Sequence, residues 1–281
     1  MKLTQLLERL EYEVRQGSDE VEVTQLINDS RKVTEGSVFV CISGAVSDGH
    51  KYIDDVAAKG AAAVIVERPV DAPKGLTVIR VDDTRYALAL MSAAYFGYPA
   101  EKLKVIGITG TKGKTTTTYM VKSILEGVGH KVGLIGTIEA IIGDKAIPAN
   151  NTTPESYTIH QYFAQMAEAG CDSVVMEVSS QGLMLHRTAG IQFEIGIFTN
   201  LGRIISARTS IRTSKITNAA KGSCLHSAIW ELPMWMTDGM KTYLRMPRAK
   251  WRLLDSRRRQ TFALQTCSIF QGLGIWELST R

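Results

Sequence analysis

One stretch limits the possible folds more than any other. Residues 105–120 read VIGITGTKGKTTTTYM: an apolar run, a loop of glycine, lysine and threonine, then an amphipathic pattern. Gly110 and Gly113 permit a tight turn in which successive backbone N–H groups face one anion. A helix beginning near Thr115 adds the positive end of its dipole. Lys114 can reach outer phosphates, and the Thr115 hydroxyl is placed to ligate Mg²⁺. The segment Gly110, Thr111, Lys112, Gly113, Lys114, Thr115 and Thr116 is therefore the candidate triphosphate cradle. It departs from the general P-loop, which wants glycine at position 108, where Ile stands, and follows the narrower form GTxGKT.

The rest of the first 203 residues fits an α/β chain. VFVCI (38–42), AAVIV (62–66) and TVIRV (77–81) read as strands, and KYIDDVAAKG (51–60) as a helix closed by Gly60. Asp83 is placed to cap a helix running to Phe96. MKLTQLLERLEYEV (1–14) reads as an amphipathic helix with acidic residues rather than a signal peptide. GYPAEK (97–102) supplies a turn and a linker. Beyond it come KVIGIT (104–109), the glycine loop, a helix with Met120, Val121, Ile124, Leu125 and Val128 on one face, then KVGLIG (131–136). DSVVMEV (172–178) and FEIGIFTN (193–200) are further strands. Strands alternating with helices imply a mostly parallel sheet covered on both faces.

Composition sharpens this at one point. Net charge is +5, yet after Arg203 the chain holds 13 Lys+Arg against 4 Asp+Glu, leaving 20 basic and 24 acidic residues before it. All four tryptophans (Trp230, Trp235, Trp251, Trp276) fall in that last part too. A basic tail can signal nucleic acid. The four cysteines show no metal or CxxC spacing, which suits a reducing cytoplasm. No run of eighteen apolar residues suggests a membrane span.

Several motifs together resemble one family. GITGTKGKTTTTYM, NNTTPE (150–155), MEVSSQGLMLHR (176–187) and FTNLGR (198–203) are similar to central-domain motifs of the Mur ligases. DSRKVTEGSVFVCISGAVSDGHKYI (29–53) is similar to their N-terminal substrate domain. These are ATP-dependent enzymes that add amino acids to the peptidoglycan precursor, and the likeness is greatest to the third-residue adding branch. It implies an N-terminal UDP-binding α/β domain (1–102), an incomplete P-loop central domain (103–203), and a C-terminal ligase domain that is missing.

The resemblance also implies roles. Lys114 would bridge ATP and an acyl phosphate, and Glu177 would ligate Mg²⁺ with Thr115; a hard carboxylate oxygen suits that ion. Asn151, Thr152, Thr153, Ser179 and Arg187 would hold the sugar-linked substrate, although NTTP alone is an ordinary turn and Ser179 could be a cap. Ser30 would contact UDP, with Gly44, Ala45 and Val46 near the uracil; a plain connecting loop is the simpler alternative for those three. Implied partners are UDP-MurNAc-L-Ala-D-Glu and a diamino acid, lysine or meso-diaminopimelate, handled by a monomer in the cytoplasm without nucleic acid or membrane.

After FTNLGR the family continues with Asp-His and a lysine-bearing helix, whereas this chain reads RIISARTSIRTSKITNAAKGSC from Arg203. Codons permitted for residues 204–224 can be chosen so that one added G yields DHISANEHPDFEDYKRCKGKL, which has the expected Asp-His. Residues 204–281 therefore read as an out-of-frame tail, and the chain as inactive. Two rival readings remain open: the fourth-residue adding ligase, and a non-catalytic nucleotide-binding protein whose tail binds nucleic acid.

Overall fold

A computed structural model describes residues 1–44 and 47–200. The out-of-frame reading of residues 204–281 lies outside that range, as do Ala45 and Val46. The chain opens with helix α1 (Leu3–Leu7), strand β1 (Glu13–Gln16) and strand β2 (Gln25–Ile27). Strand β3 (Ser37–Val40), helix α2 (Ile53–Ala58), strands β4 (Ala63–Val66) and β5 (Thr77–Arg80), and helix α3 (Thr84–Tyr95) follow. These strands form one sheet in the order β1-β5-β4-β3-β2, parallel except where β1 meets β5.

Alternation along the strands explains why this sheet is covered twice. Val38, Val40, Ile65 and Ile79 face α1 and α3, packing on Leu3, Leu6, Leu7, Leu88 and Met91. Phe39, Val64, Val66 and Val78 face the other way onto Ile53 and Val56 of α2. The helix expected over residues 1–14 is shorter. It ends after one turn, and Glu13–Gln16 instead pairs with β5, because Leu10 and Tyr12 reach the core from an extended chain.

The linker is pinned to this first unit. Arg9 pairs with Glu101 at 2.7 Å and lies 3.7 Å over the Tyr98 ring, while the Tyr98 hydroxyl donates to Glu8.

The second sheet is built from strand β6 (Lys104–Thr109), helix α4 (Lys114–Gly127), strands β7 (Val132–Ile135), β8 (Glu139–Ile142) and β9 (Lys145–Pro148), and helix α5 (Ser156–Glu168). Strand β10 (Ser173–Glu177), helix α6 (Ser180–Met184) and strand β11 (Ile195–Phe198) complete it. Its order is β11-β6-β10-β7-β8-β9, the first four strands parallel and the β8–β9 hairpin antiparallel. On one face Ile159, Phe163 and Met166 of α5 cover Val105, Val174 and Met176. On the other, Leu125 of α4 covers Ile106, Ile108 and Val175. Only part of the α4 apolar face is used: Leu125 is buried, whereas Met120, Ile124 and Val128 stand open.

The two units meet along α3 and α5, where Tyr157 packs on Phe96 and Tyr95 with ring centroids 5.1 and 6.0 Å apart. Among the described residues no helix is long and apolar enough to cross a membrane.

Candidate active site

The carboxyl ends of β6, β10, β7 and β11 share one edge of the second sheet, because all four strands run parallel. In such sheets ligands gather at that edge. The glycine loop leaves β6 there. Gly110 adopts φ +141° and Gly113 φ +83°, and Gly113 is the N-cap of α4. A side chain at Gly110 would place its Cβ 2.1 Å from the Thr199 hydroxyl and 3.1 Å from the Asn200 backbone. Gly113 has open space around it, so only its backbone angle demands glycine there.

Thr199 and Asn200, just past β11, hold the loop in shape. The Thr111 N–H donates to the Asn200 carbonyl at 2.9 Å and the Lys112 N–H to Asn200 Oδ1 at 3.1 Å. The Lys112 carbonyl accepts from Thr199 Oγ1 at 2.7 Å and Asn200 Nδ2 at 2.9 Å. Lys114 folds back over the loop and donates from Nζ to the Gly110 carbonyl at 3.0 Å. The Thr115 side chain is half-buried and Thr116 is exposed, in the first turn of α4.

Glu177 is adjacent by register, paired with Ile108 two residues before Gly110. It is 1% exposed. Oε1 accepts the Thr137 N–H at 2.8 Å and Oε2 the Thr137 hydroxyl at 3.1 Å, so the carboxylate is oriented from the end of β7. Each oxygen keeps acceptor capacity beyond one bond. Nearby, Tyr119 donates to Glu139 at 2.8 Å. Burial, then Glu139, then the charge of Glu177 push the Tyr119 phenol up to about 12. The edge is therefore electronegative beside a cationic loop, an arrangement suited to a divalent ion shared with phosphate oxygens. Among the described residues no cluster of three or more His, Cys, Asp or Glu could hold a metal unaided. The donor set present, one oriented carboxylate and the Thr115 hydroxyl, fits Mg²⁺, which takes few protein oxygens and leans on substrate phosphates.

The other expected residues divide by where their polar groups are spent. Thr153 is buried, and its hydroxyl bonds the Glu177 carbonyl at 2.9 Å and accepts the Ser179 N–H at 2.9 Å. Ser179 caps α6, accepting from the Gly182 N–H at 3.0 Å. Arg187 donates to the Thr153 carbonyl at 2.8 Å and pairs with Glu155. Those three tie the 150–155 turn to the end of β10. Asn151 is exposed and Thr152 half-buried; the Thr152 hydroxyl lies 3.1 Å from that of Thr137, to which it donates while Thr137 donates to Glu177.

Ser30 and Gly44 lie on the first sheet instead, past the carboxyl ends of the adjacent parallel strands β2 and β3. Ser30 opens a short 3-10 turn capped by Asp29. The Arg31 guanidinium on Asp29 holds that carboxyl down at about 2. Gly44 is exposed and donates to the Ser47 carbonyl at 2.9 Å. The first turn of α3 touches both regions. Arg85 reaches the Ser43 carbonyl at 3.3 Å, while Asp83 lies 3.6 Å from His186 and Tyr86 packs edge-on against the same ring.

Thr137, Thr199 and Asn200 were not singled out from sequence. The signal was available: each follows the last apolar residues of a strand, and Thr199 and Asn200 sit inside FTNLGR.

Comparison with known proteins places the chain in a family. The Mur ligase middle-domain model matches residues 108–204, and the Mur ligase catalytic-domain model matches residues 22–96, together more than half of the chain. This chain belongs to the Mur ligase family. A Clostridium perfringens relative named UDP-N-acetylmuramoyl-L-alanyl-D-glutamate–2,6-diaminopimelate ligase is 52% identical over 203 residues, 72% of this chain and 42% of the relative. A Clostridium tetani relative of the same name is 47% identical over 204 residues, with the same coverage of both chains. The chain thus spans less than half the length of these Mur ligases. A solved structure bearing that name has the same fold at TM-score 0.65 and 23% identity, over 80% of this chain and 44% of the other. MurF from Acinetobacter baumannii matches at TM-score 0.52 and 22% identity, over 82% of this chain and 47% of that one.

Proposed function

We propose that the chain carries the UDP-substrate and nucleotide regions of an ATP-dependent, amide-forming Mur ligase of peptidoglycan synthesis. In that reading a cytoplasmic monomer joins diaminopimelate to UDP-MurNAc-L-Ala-D-Glu. Residues 1–102 take the UDP end, residues 103–203 the triphosphate and the acceptor carboxylate, and residues 204–281 are an out-of-frame tail. The observation that carries it is the single edge on which the Gly110–Gly113 loop, Lys114 and the oriented Glu177 converge. Names of relatives that are 52% and 47% identical supply the substrate class.

The chemistry proceeds in two steps. A substrate carboxylate oxygen attacks the γ-phosphorus of ATP and ADP leaves. The amine then attacks the acyl carbon, a C–N bond forms, phosphate departs and the amine nitrogen loses a proton. Carboxylate oxygen is a poor leaving group and phosphate a good one, so catalysis reduces to positioning and charge neutralisation. Backbone N–H groups where the loop enters α4, past those of Thr111 and Lys112 that bond Asn200, hold the phosphates, and Lys114 swings from Gly110 to follow the transferred charge. Glu177 and Thr115 would hold Mg²⁺, which supplies neutralising charge when bound. Thr153, Ser179 and Arg187 fix the 150–155 turn so that Asn151 and Thr152 meet the substrate. Ser30 and the 44–46 loop take the uridine end, with the first turn of α3 spanning the two.

The fourth-residue adding reading has less support, since its likeness is one of fold at 22% identity. Matching relatives give out at about residue 203, which supports the out-of-frame reading. A frame-restored gene product should consume ATP only when given UDP-MurNAc-L-Ala-D-Glu and diaminopimelate. Consumption with the tripeptide substrate and D-Ala-D-Ala instead would refute the assignment. An intact nucleotide read around codon 204, with no family text in the +1 frame, would refute the frame reading alone.

A further inference from the structure

The turn between β7 and β8 connects the two groups assigned above to Mg²⁺. It closes on itself, the Gly136 N–H donating to the Glu139 carbonyl at 3.0 Å. Thr137, at its tip, donates its N–H and its hydroxyl to Glu177 at 2.8 and 3.1 Å. A Cβ at Gly136 would lie 2.8 Å from Glu177 Oε1, so glycine lets the turn sit directly against the carboxylate. The other end of the turn reaches α4, where the Tyr119 hydroxyl donates to Glu139 Oε1 at 2.8 Å. Burial, then Glu139, then the charge of Glu177 raise the Tyr119 phenol, so it keeps its proton and serves as the donor. Elsewhere on α4, Thr118 bonds back to the Lys114 carbonyl at 2.8 Å and Lys122 pairs with Glu126, both inside the helix. Leu125 and Val121 meet the sheet through aliphatic contact, which has no preferred direction. The Tyr119 bond is directional, and it fixes how α4 is turned about its axis.

That rotation matters because Thr115 lies four residues before Tyr119, one turn back on the same side of the helix. On the sheet, Val175 packs with Leu125 of α4, and Glu177 follows it by two residues, so its carboxylate is turned to the α4 face. We infer that Tyr119 and Glu139 are positioning residues whose hydrogen bond sets the spacing between the Thr115 hydroxyl and Glu177. That spacing governs affinity for a divalent cation bound together with a nucleoside triphosphate. Neither residue needs to touch the ion; each acts through Thr115 or Glu177. The inference rests on the nucleotide reading above and extends it to two residues outside the loop. A tyrosine–carboxylate bond that only stabilised the fold would be indifferent to the cation. Tyr12 and Asp19, 2.7 Å apart in the first unit, supply that comparison.

The test titrates a fluorescent ATP analogue into the 281-residue chain, once with Mg²⁺ and once with EDTA. Electron paramagnetic resonance follows Mn²⁺ binding to the chain–nucleotide complex as a second readout. Tyr119→Phe should cut the affinity gain that Mg²⁺ brings by about three- to tenfold, the share of one hydrogen bond, and weaken Mn²⁺ by a similar factor. In EDTA it should bind like the unaltered chain. Glu139→Gln still accepts from Tyr119 and should stay within about twofold of the unaltered chain. Glu139→Ala should match Tyr119→Phe, and the double variant should be no worse than either. Tyr12→Phe should move neither readout, and thermal melts confirm that each variant is folded. A Mg²⁺ gain unchanged by Tyr119→Phe, or a loss equal with and without Mg²⁺, would overturn this inference alone. So would a loss in Glu139→Gln as large as in Glu139→Ala, which would make the charge of Glu139 the effective feature. An unaltered chain with no Mg²⁺ gain would overturn it together with the reading on which it rests.

Discussion

α3 and α4 both follow a β-strand and both present an apolar face, yet their surroundings differ sharply. Nine of the twelve residues of α3 are buried, against two of the fourteen of α4. α3 lies between the first sheet, α1 and α5, so even Ser92 is enclosed and bonds back to the Leu88 carbonyl at 2.6 Å. α4 packs mainly on β6, β7 and β10 among the described residues. An amphipathic pattern states which side of a helix seeks cover; whether cover arrives depends on the layer beside it. The first unit closes its own core, while among the described residues of the second one flank of α4 stays exposed.

If that contrast governs stability, Met91→Ala in α3 should cost about 2–5 kcal/mol, the range for a packed core. Leu125→Ala in α4 should fall at or below the lower end, because an open flank lets the site collapse. Urea unfolding of both variants measures this, and equal losses would break the contrast.

The glycine loop gives a second comparison. Gly110→Ala meets Thr199 at 2.1 Å as well as an unfavourable φ, whereas Gly113→Ala meets only the backbone penalty. Gly110→Ala should lose about 1–3 kcal/mol and more than its neighbour. The reverse order in thermal melts would show that Thr199 and Asn200 do not brace the loop.

A smaller effect separates the units by pH. His160 is fully buried in α5, and among the described residues neither ring nitrogen has a partner. Burial pulls its pKa down to about 4. Between about pH 6.5 and 4 the unfolded chain takes a proton that the folded one refuses, so stability falls as pH falls, by up to about 1.4 kcal/mol per unit. His160→Phe should flatten that slope, and an unchanged acid profile would exclude His160 as its source. The smallest change is expected at Arg31, whose side chain is 86% exposed. Arg31→Ala should leave the unfolding midpoint unaltered, since exposed pairs contribute little; a clear drop would mean that the Asp29 turn is a stabilising element of the first unit.

Much of this was legible in the sequence, for identifiable reasons. KVIGIT and DSVVMEV are apolar runs bounded by loop residues, and the Gly110–Lys114 segment has few alternative conformations. The β8–β9 hairpin was harder, because its strands are four residues each and half exposed. The first helix is shorter than its pattern, since residues 11–14 carry helical spacing but Glu13 and Val14 are taken by pairing with β5. Within the site, Lys114 and Glu177 announced themselves through residue type. Thr137 and Asn200 did not, because what they do depends on strand order, which one strand's pattern cannot reveal.

The central claim is that the edge formed by residues 110–115 and Glu177 holds a nucleoside triphosphate. Titrating a fluorescent ATP analogue with Mg²⁺ into the 281-residue chain tests it most directly. Saturable binding is expected, weakened about tenfold to a hundredfold in Lys114→Ala, the loss of charged hydrogen bonds to phosphate. No binding by the unaltered chain, or equal affinity in Lys114→Ala, would contradict the account.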